Sequence, residues 1–247
     1  MKLTFIDARA WKYIMQSIVK AVSETTIKVS QEGLRIKTMD EAKIVLIDFF
    51  LPASSFSEYE IDGELEFGVN LEDLVKVLRR AQKEDVLTLE VGESNYSITF
   101  KGKGIRRFTL PQLDLAGENI PEVDLQLDVK ATMTPDVYRE IVKDLEPIAD
   151  TVTFVAEPSS LRIEAVSDLG EAEIDVPTET VLTGYEVNEE NLPAKSSYGV
   201  EHLTYVTQVS QISNEAILEF SNEMPLRITF TLPEGGSFVY IVAPRVF

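Results

Sequence analysis

The chain has no cysteine, so disulfides and thiolate metal sites are excluded. It has a single histidine, His202, which rules out multi-histidine centres as well. Long apolar runs are missing: no uninterrupted stretch approaches membrane-spanning length, and no basic-then-apolar leader opens the chain. The expectation is a cytoplasmic protein without membrane association. A glycine-rich phosphate loop is also lacking. Positive charge is scarce, with 23 Lys and Arg against 42 Asp and Glu and a net charge of −19. Such a balance argues against a polyanionic partner, but net charge is a sum. What matters is whether the few cations share one surface while the acids lie elsewhere.

What is present is repetition. The chain has 247 residues, 44% of them hydrophobic, enough for two domain cores. Leu34-Arg35-Ile36 recurs as Leu161-Arg162-Ile163, 127 positions on, and the same offset lays Trp11 on Tyr138, Ile14 on Ile141 and Ile18 on Leu145. Farther along the offset drifts to about 130. Phe67-Gly68-Val69 then matches Tyr198-Gly199-Val200, and Ile98-Thr99-Phe100 matches Ile228-Thr229-Phe230. Matches in one order along the whole length indicate two copies of one fold.

Within a copy, Trp11, Ile14, Met15, Ile18, Val19 and Val22 fall at helical spacing, as do Leu71, Leu74, Val75, Leu78 and Ala81. Asn70 and Thr134-Pro135 are suitable helix starts. Runs such as Val86-Leu87-Thr88-Leu89-Glu90-Val91 are β-rich and bounded by turn residues. Two amphipathic helices per copy on antiparallel sheet give an α+β class, not a βαβ nucleotide fold. Proline, glycine and charges interrupt the strand pattern between the copies. The expected division is a first domain over residues 1–112, a linker over 113–124 and a second domain over 125–247.

Charge is sorted along the helices. Lys12 and Lys20 share one face of the first helix. Lys76, Arg79, Arg80 and Lys83 make a dense basic face on the second, and Lys143 with Arg139 lies on the third among acids. The fourth offers only neutral Thr207, Gln208, Ser210 and Gln211. Lysines on one exposed helix face are ordinarily just solvated. Basic faces on related helices of an acidic chain point instead to sequence-independent contact with duplex DNA phosphates. A second sorting sets Lys101, Lys103, Arg106 and Arg107 near the linker against Glu171, Glu173 and Asp175 in the second copy. Head-to-tail pairing of such strands closes into rings, and solvated edge strands carrying protective charge are the alternative.

Ser197-Tyr198-Gly199-Val200, Asn222-Glu223-Met224-Pro225, Val242-Ala243-Pro244-Arg245-Val246, Gly33-Leu34 with Met39-Asp40, and Phe67-Gly68-Val69-Asn70-Leu71 together resemble the archaeal form of the sliding clamp called proliferating cell nuclear antigen. The resemblance runs in order over essentially the whole chain. It implies a tandem duplication of a DNA-clamp domain, antiparallel sheets outside and four helices on the inner face, assembled into a trimeric ring. It assigns Lys12, Lys20, Lys76, Arg79, Arg80 and Lys143 to the DNA-facing surface. The strand near residues 101–109 would meet the strand near 170–178 of a neighbouring subunit.

It further implies a partner groove formed by Met39, Ile44, Leu46, Ile120, Pro225, Ile241, Ala243 and Pro244, receiving DNA polymerase, flap endonuclease and DNA ligase. A clamp loader would place the ring on DNA, as a homotrimer or as a heterotrimer with paralogous subunits. The chain would be a replication and repair processivity factor, not an enzyme and without a cofactor, in the cytoplasm at the nucleoid, or in the nucleus of a eukaryotic source. The sequence departs from relatives at Glu118, where some carry an apolar residue, and at Ile241, where others carry tyrosine. It also departs in the neutral fourth helix, which opens on Glu201 and His202. His202 aligns with Leu71 and is expected to be packed.

Two rivals share parts of this pattern. A checkpoint-type clamp subunit has the same fold. A Mg-dependent nuclease would need converging carboxylates, yet Asp40-Glu41, Glu84-Asp85 and Glu189-Glu190 lie in expected turns far apart in sequence.

Overall fold

A computed structural model describes residues 1–115, 120 and 122–245. The chain divides into two compact units. One comprises Met1–Asp40, Ile47–Ile120 and Pro233–Ser237, and the other Glu41–Leu46, Pro121–Leu232 and Phe238–Phe247.

The first copy of the repeat runs β1 (Lys2–Phe5), α1 (Ala8–Ile18), β2 (Glu24–Val29), β3 (Gly33–Met39), β4 (Val45–Pro52), β5 (Glu58–Glu60), β6 (Leu65–Asn70), α2 (Leu71–Leu78), β7 (Val86–Val91), β8 (Asn95–Lys101) and β9 (Ile105–Pro111). The second runs β10 (Val129–Met133), α3 (Pro135–Leu145), β11 (Thr151–Glu157), β12 (Ser160–Ser167), β13 (Gly170–Pro177), β14 (Leu182–Val187), β15 (Ala194–Gly199), α4 (Val200–Thr204), β16 (Glu215–Phe220), β17 (Leu226–Thr231) and β18 (Ser237–Val242). The order of helices and strands is identical.

Sheet topology repeats too. The order β5-β1-β7-β8-β9 corresponds strand for strand to β14-β10-β16-β17-β18, and β4-β3-β2-β6 to β13-β12-β11-β15. The paired strands of both copies run antiparallel, as in β1 with β7 and β10 with β16. The fold is therefore an α+β tandem duplication, as the sequence pattern implied.

Each core follows from the periodicities. Trp11, Ile14, Met15 and Ile18 of α1 and Leu71, Leu74, Val75 and Leu78 of α2 are buried, as are Leu87, Leu89, Ile98 and Phe100 on alternate positions of β7 and β8. In the second unit Tyr138 meets Phe230 edge-on at 5.5 Å, and Phe154 meets Tyr198 at 5.5 Å and Phe220 at 5.9 Å. Each such side chain contributes about 1.5–3 kcal/mol on burial.

Helix starts match their signals. The Asp7 carboxylate accepts from the Arg9 N–H, and the Asn70 side chain accepts from the Asp73 N–H, both at 3.0 Å. Thr134 makes no side-chain cap bond, and Pro135 occupies the first turn of α3. Helix ends come earlier than the apolar pattern suggests. α1 stops at Ile18, so Lys20 lies in the turn that follows, and α2 stops at Leu78, so Arg79 and Arg80 form its exit. There the Asp85 carboxylate accepts from the Gln82 N–H at 2.6 Å, and Glu84 adopts φ 71°, turning the chain into β7.

The fourth helix is corrected most. α4 has five residues, followed by turns and a 3-10 turn over Val209–Gln211. Ser210 is buried and donates to the Thr207 carbonyl at 2.6 Å. Thr207 and Gln208 are half-buried, so only Gln211 of the expected neutral face is fully exposed.

Candidate nucleic-acid and assembly surfaces

In the first unit α1 and α2 pack side by side, apolar stripes inward. Lys20, Lys76, Arg79, Arg80 and Lys83 are exposed and Lys12 is half-buried. Lys12 stacks its ammonium over Tyr13, 4.5 Å from the ring centre. Lys76 pairs with Asp73 at 2.8 Å, and this acceptor raises the lysine above its usual range. Arg79 and Arg80 follow the last turn of α2, and the helix's acids Glu72 and Asp73 lie in its first turn.

The helices of the second unit differ in sign. α3 presents Lys143 and Arg139 among Asp136, Glu140 and Asp144. Arg139 is held by Asp136 at 2.8 Å and lies 3.4 Å from the Ser210 hydroxyl. α4 adds Glu201 and half-buried His202. The dense cationic helix surface therefore belongs to the first unit, and on α3 Arg139 and Lys143 are outnumbered by Asp136, Glu140 and Asp144.

His202 is packed, as its repeat position indicates. Its ring lies edge-on to Tyr205 at 5.5 Å. A Cβ on Gly199 would lie 2.9 Å from the His202 Nδ1 and 3.1 Å from the Arg245 guanidinium, so these two side chains close over the glycine. The Arg245 N–H donates to the Ser197 carbonyl at 2.7 Å. The first unit repeats this arrangement: the Leu113 N–H donates to the Gly68 carbonyl at 2.9 Å, where a Cβ would lie 2.4 Å from the Leu113 oxygen. In each unit the segment after the last strand is laced to the strand preceding the second helix.

β9 ends one sheet and β13 ends another. Lys101 and Lys103 are exposed, as are Glu171, Glu173 and Asp175 on alternate positions of β13. The two arginines of β9 point to opposite faces. Arg107 faces outward, bonded to Glu90 and Ser97 at 3.0 Å. Arg106 turns inward onto buried Asp85. Charge reasoning missed the apolar residues beside these edges: Ile105 is 74% exposed, Leu169 81% and Val166 68%. Ile105 begins β9 and Leu169 sits in the β12–β13 turn, so both lie beside strands that end their sheets.

Of the groove residues, Ile44, Pro225, Ile241, Ala243 and Pro244 are exposed or half-buried in the second unit, whereas Leu46 is buried. The Ala243 N–H donates to the Ile44 carbonyl at 2.8 Å, setting these two side by side. Met39 and Ile120, in the first unit, are half-buried. Glu118 lies outside the described residues, as do Pro121 and the Val246 of the terminal motif.

Among the described residues no three acidic or histidine side chains converge as a metal site, and no helix is long and apolar enough to cross a membrane.

Residues 1–115 match the family model for the N-terminal domain of proliferating cell nuclear antigen, and residues 119–245 match that for its C-terminal domain. The chain is 37% identical over 248 residues to the DNA polymerase sliding clamp of Thermofilum pendens, covering 100% of this chain and 99% of that protein. It is 34% identical to DNA polymerase sliding clamp 3 of Aeropyrum pernix, covering 98% and 97%. Among solved structures, a PCNA2–PCNA3 complex from Sulfolobus tokodaii superposes with a TM-score of 0.93 at 31% identity, and PCNA from Thermococcus kodakaraensis with 0.91 at 27%, each over 99% of both chains. A duplicated α+β fold, one cationic helix layer, and matches of this extent to both halves lead to one statement: the chain belongs to the proliferating cell nuclear antigen family of DNA sliding clamps.

Proposed function

We propose that this chain is one subunit of a trimeric ring that encircles duplex DNA without reading its sequence and holds replication and repair proteins on it. The observation that carries the reading is the one-sided helix layer of the first unit. In a chain of net charge −19, Lys12, Lys20, Lys76, Arg79 and Arg80 lie on the solvent side of two packed helices. Diffuse contact with phosphates needs such a field and no base-reading element. Lys143 adds a single contact from the second unit.

Assembly proceeds by edge pairing of β9 with β13 of the next subunit. Lys101, Lys103 and Arg107 approach Glu171, Glu173 and Asp175, and Ile105, Val166 and Leu169 supply the apolar contact. Arg106 serves this edge from behind, through Asp85. The pairing is heterologous, so its rotation must close to give a ring. The ring is built with paralogous subunits: the second-unit helix layer is acidic, and one of the most similar solved structures is a complex of two different PCNA chains.

Partners dock a short apolar segment on the surface of the second unit around Ile44, Pro225, Ile241, Ala243 and Pro244, with Leu46 supporting from the core. A shallow patch with a few anchors suits exchange among polymerase, flap endonuclease and ligase. The role is a non-catalytic one in replication, exercised in the cytoplasm after loading by an ATP-driven clamp loader.

Light scattering on the chain alone and with its paralogues tests the assembly. A mass of three subunits, reduced by Ile105→Glu, is the expected outcome. An unchanged mass in the variant contradicts edge pairing.

A further inference from the structure

The charge run before the linker divides in the structure, and its inward member does something the outward one does not. One nitrogen of Arg106 bonds the Asp85 carboxylate, and another donates to the carbonyl of Arg80 at 2.8 Å. The guanidinium also lies over the face of Phe100, 5.3 Å from the ring centre. The side chain of Asp85 is 2% exposed, so its charge requires a partner.

Asp85 reaches further. Its second bond, from the Gln82 N–H at 2.6 Å, forms the turn after α2, and its carbonyl accepts the Ala8 N–H at the start of α1 at 3.0 Å. A Cβ on Gly102 would lie 2.1 Å from the Asp85 carboxylate, so the β8–β9 turn closes against it only because that residue is glycine. One ion pair thus joins the starts and ends of three elements: α1, α2 and β9.

We propose that Arg106 is a positioning residue that makes the seating of the assembly strand β9 and the cationic exit of α2 one cooperative unit. The proposal rests on the clamp reading of those two surfaces. The Arg80 carbonyl lies just past the C-cap of α2, where a cation is favoured by the helix dipole. Satisfying it from β9 fixes where Arg79, Arg80 and Lys83 point. The same bond fixes which face of β9 turns inward, since a one-residue slip would carry Arg106 outward and bury Arg107. Ring closure and phosphate contact are then coupled within a single unit.

The test uses the full chain with Arg106→Gln and Arg106→Lys, followed by amide hydrogen exchange over residues 79–85, 105–111 and, as a control, 151–167. Arg106→Gln is expected to lower protection by about tenfold in the first two segments together while the control stays at parental values. Arg106→Lys reaches one acceptor but not both, so it falls between parent and Arg106→Gln in both segments. Assembled mass and retention on circular DNA should follow the same ranking.

Loss confined to 105–111, or a uniform loss that includes the control, overturns the coupling. If the parent itself is not retained on circular DNA while exchange in the two segments moves together, the clamp reading fails and the coupling stands.

Discussion

The hydroxyl of Tyr138, on α3, donates to the carbonyl of Leu203, in α4, at 2.8 Å, with the phenol buried and its ionisation pushed up by desolvation. Trp11 holds the equivalent place in the first copy, and its indole N–H is buried without a partner. α4 is only five residues long and leaves orphan carbonyls that a hydroxyl must satisfy. Removing that hydroxyl by Tyr138→Phe should cost about 1–3 kcal/mol. Tyr240 donates to the His202 carbonyl at 2.9 Å, but that oxygen also receives the Tyr205 N–H at 3.2 Å. Tyr240→Phe should therefore cost less, and thermal unfolding of the two variants checks the ranking.

Arg227 grips Glu219 across β17 and β16 through two bonds of 2.7 and 2.9 Å, with side chains only 24% and 19% exposed. Lys28 and Glu66 meet at 3.3 Å with 59% and 41% exposure. Glu219→Gln should cost about 1.5–3 kcal/mol, and Glu66→Gln about 0–1 kcal/mol. Urea unfolding of both variants measures the contrast, and equal costs would contradict it.

The Asp128 carboxylate is held below the usual carboxylate range by hydrogen bonds from Asn191 first, then Ser221 and Asn188. A folded value below the unfolded one contributes stability above the unfolded value and loses it as pH falls through the folded one. Asp128→Asn should therefore be less stable than the parent near neutrality, the difference closing as pH falls through and below the ordinary carboxylate range. A difference that persisted or grew in acid would show that the bonds do not favour the charged form.

Salt dependence of DNA retention separates cations that contact phosphate from those that do not. Arg79→Ala and Arg80→Ala should each lower the log–log salt slope by about one. Lys76, already paired with Asp73 at 2.8 Å, should lower it by less. Slopes unchanged by all three substitutions would remove α2 from the DNA-facing surface.

Much of this was legible in residue order. The offset joining Trp11 to Tyr138 anticipates the strand-for-strand duplication, and Asn70 marks the start of α2 where its side chain is found capping. The fourth helix was not legible because hydroxyls compete with its backbone. Thr204, Thr207 and Ser210 donate to the carbonyls of Glu201, Thr204 and Thr207 at 2.7, 2.9 and 2.6 Å, and the segment closes into turns. A count of charges also could not distinguish Arg106 from Arg107. Only strand alternation, and an aspartate 21 residues earlier, separates the inward arginine from the outward one. The exposure of Ile105 and Leu169 depends on which edges the fold leaves uncovered, and no local residue pattern carries that.

Topological linkage is the most direct measure of the central claim. The chain, with its paralogues, is loaded on nicked circular DNA by a clamp loader and ATP, and retention through gel filtration is followed before and after the circle is cut. An encircling ring should stay on the circle at a salt concentration that abolishes simple electrostatic binding, and it should slide off once the DNA is linear. Equal retention on circular and linear DNA, or none on either, would contradict it.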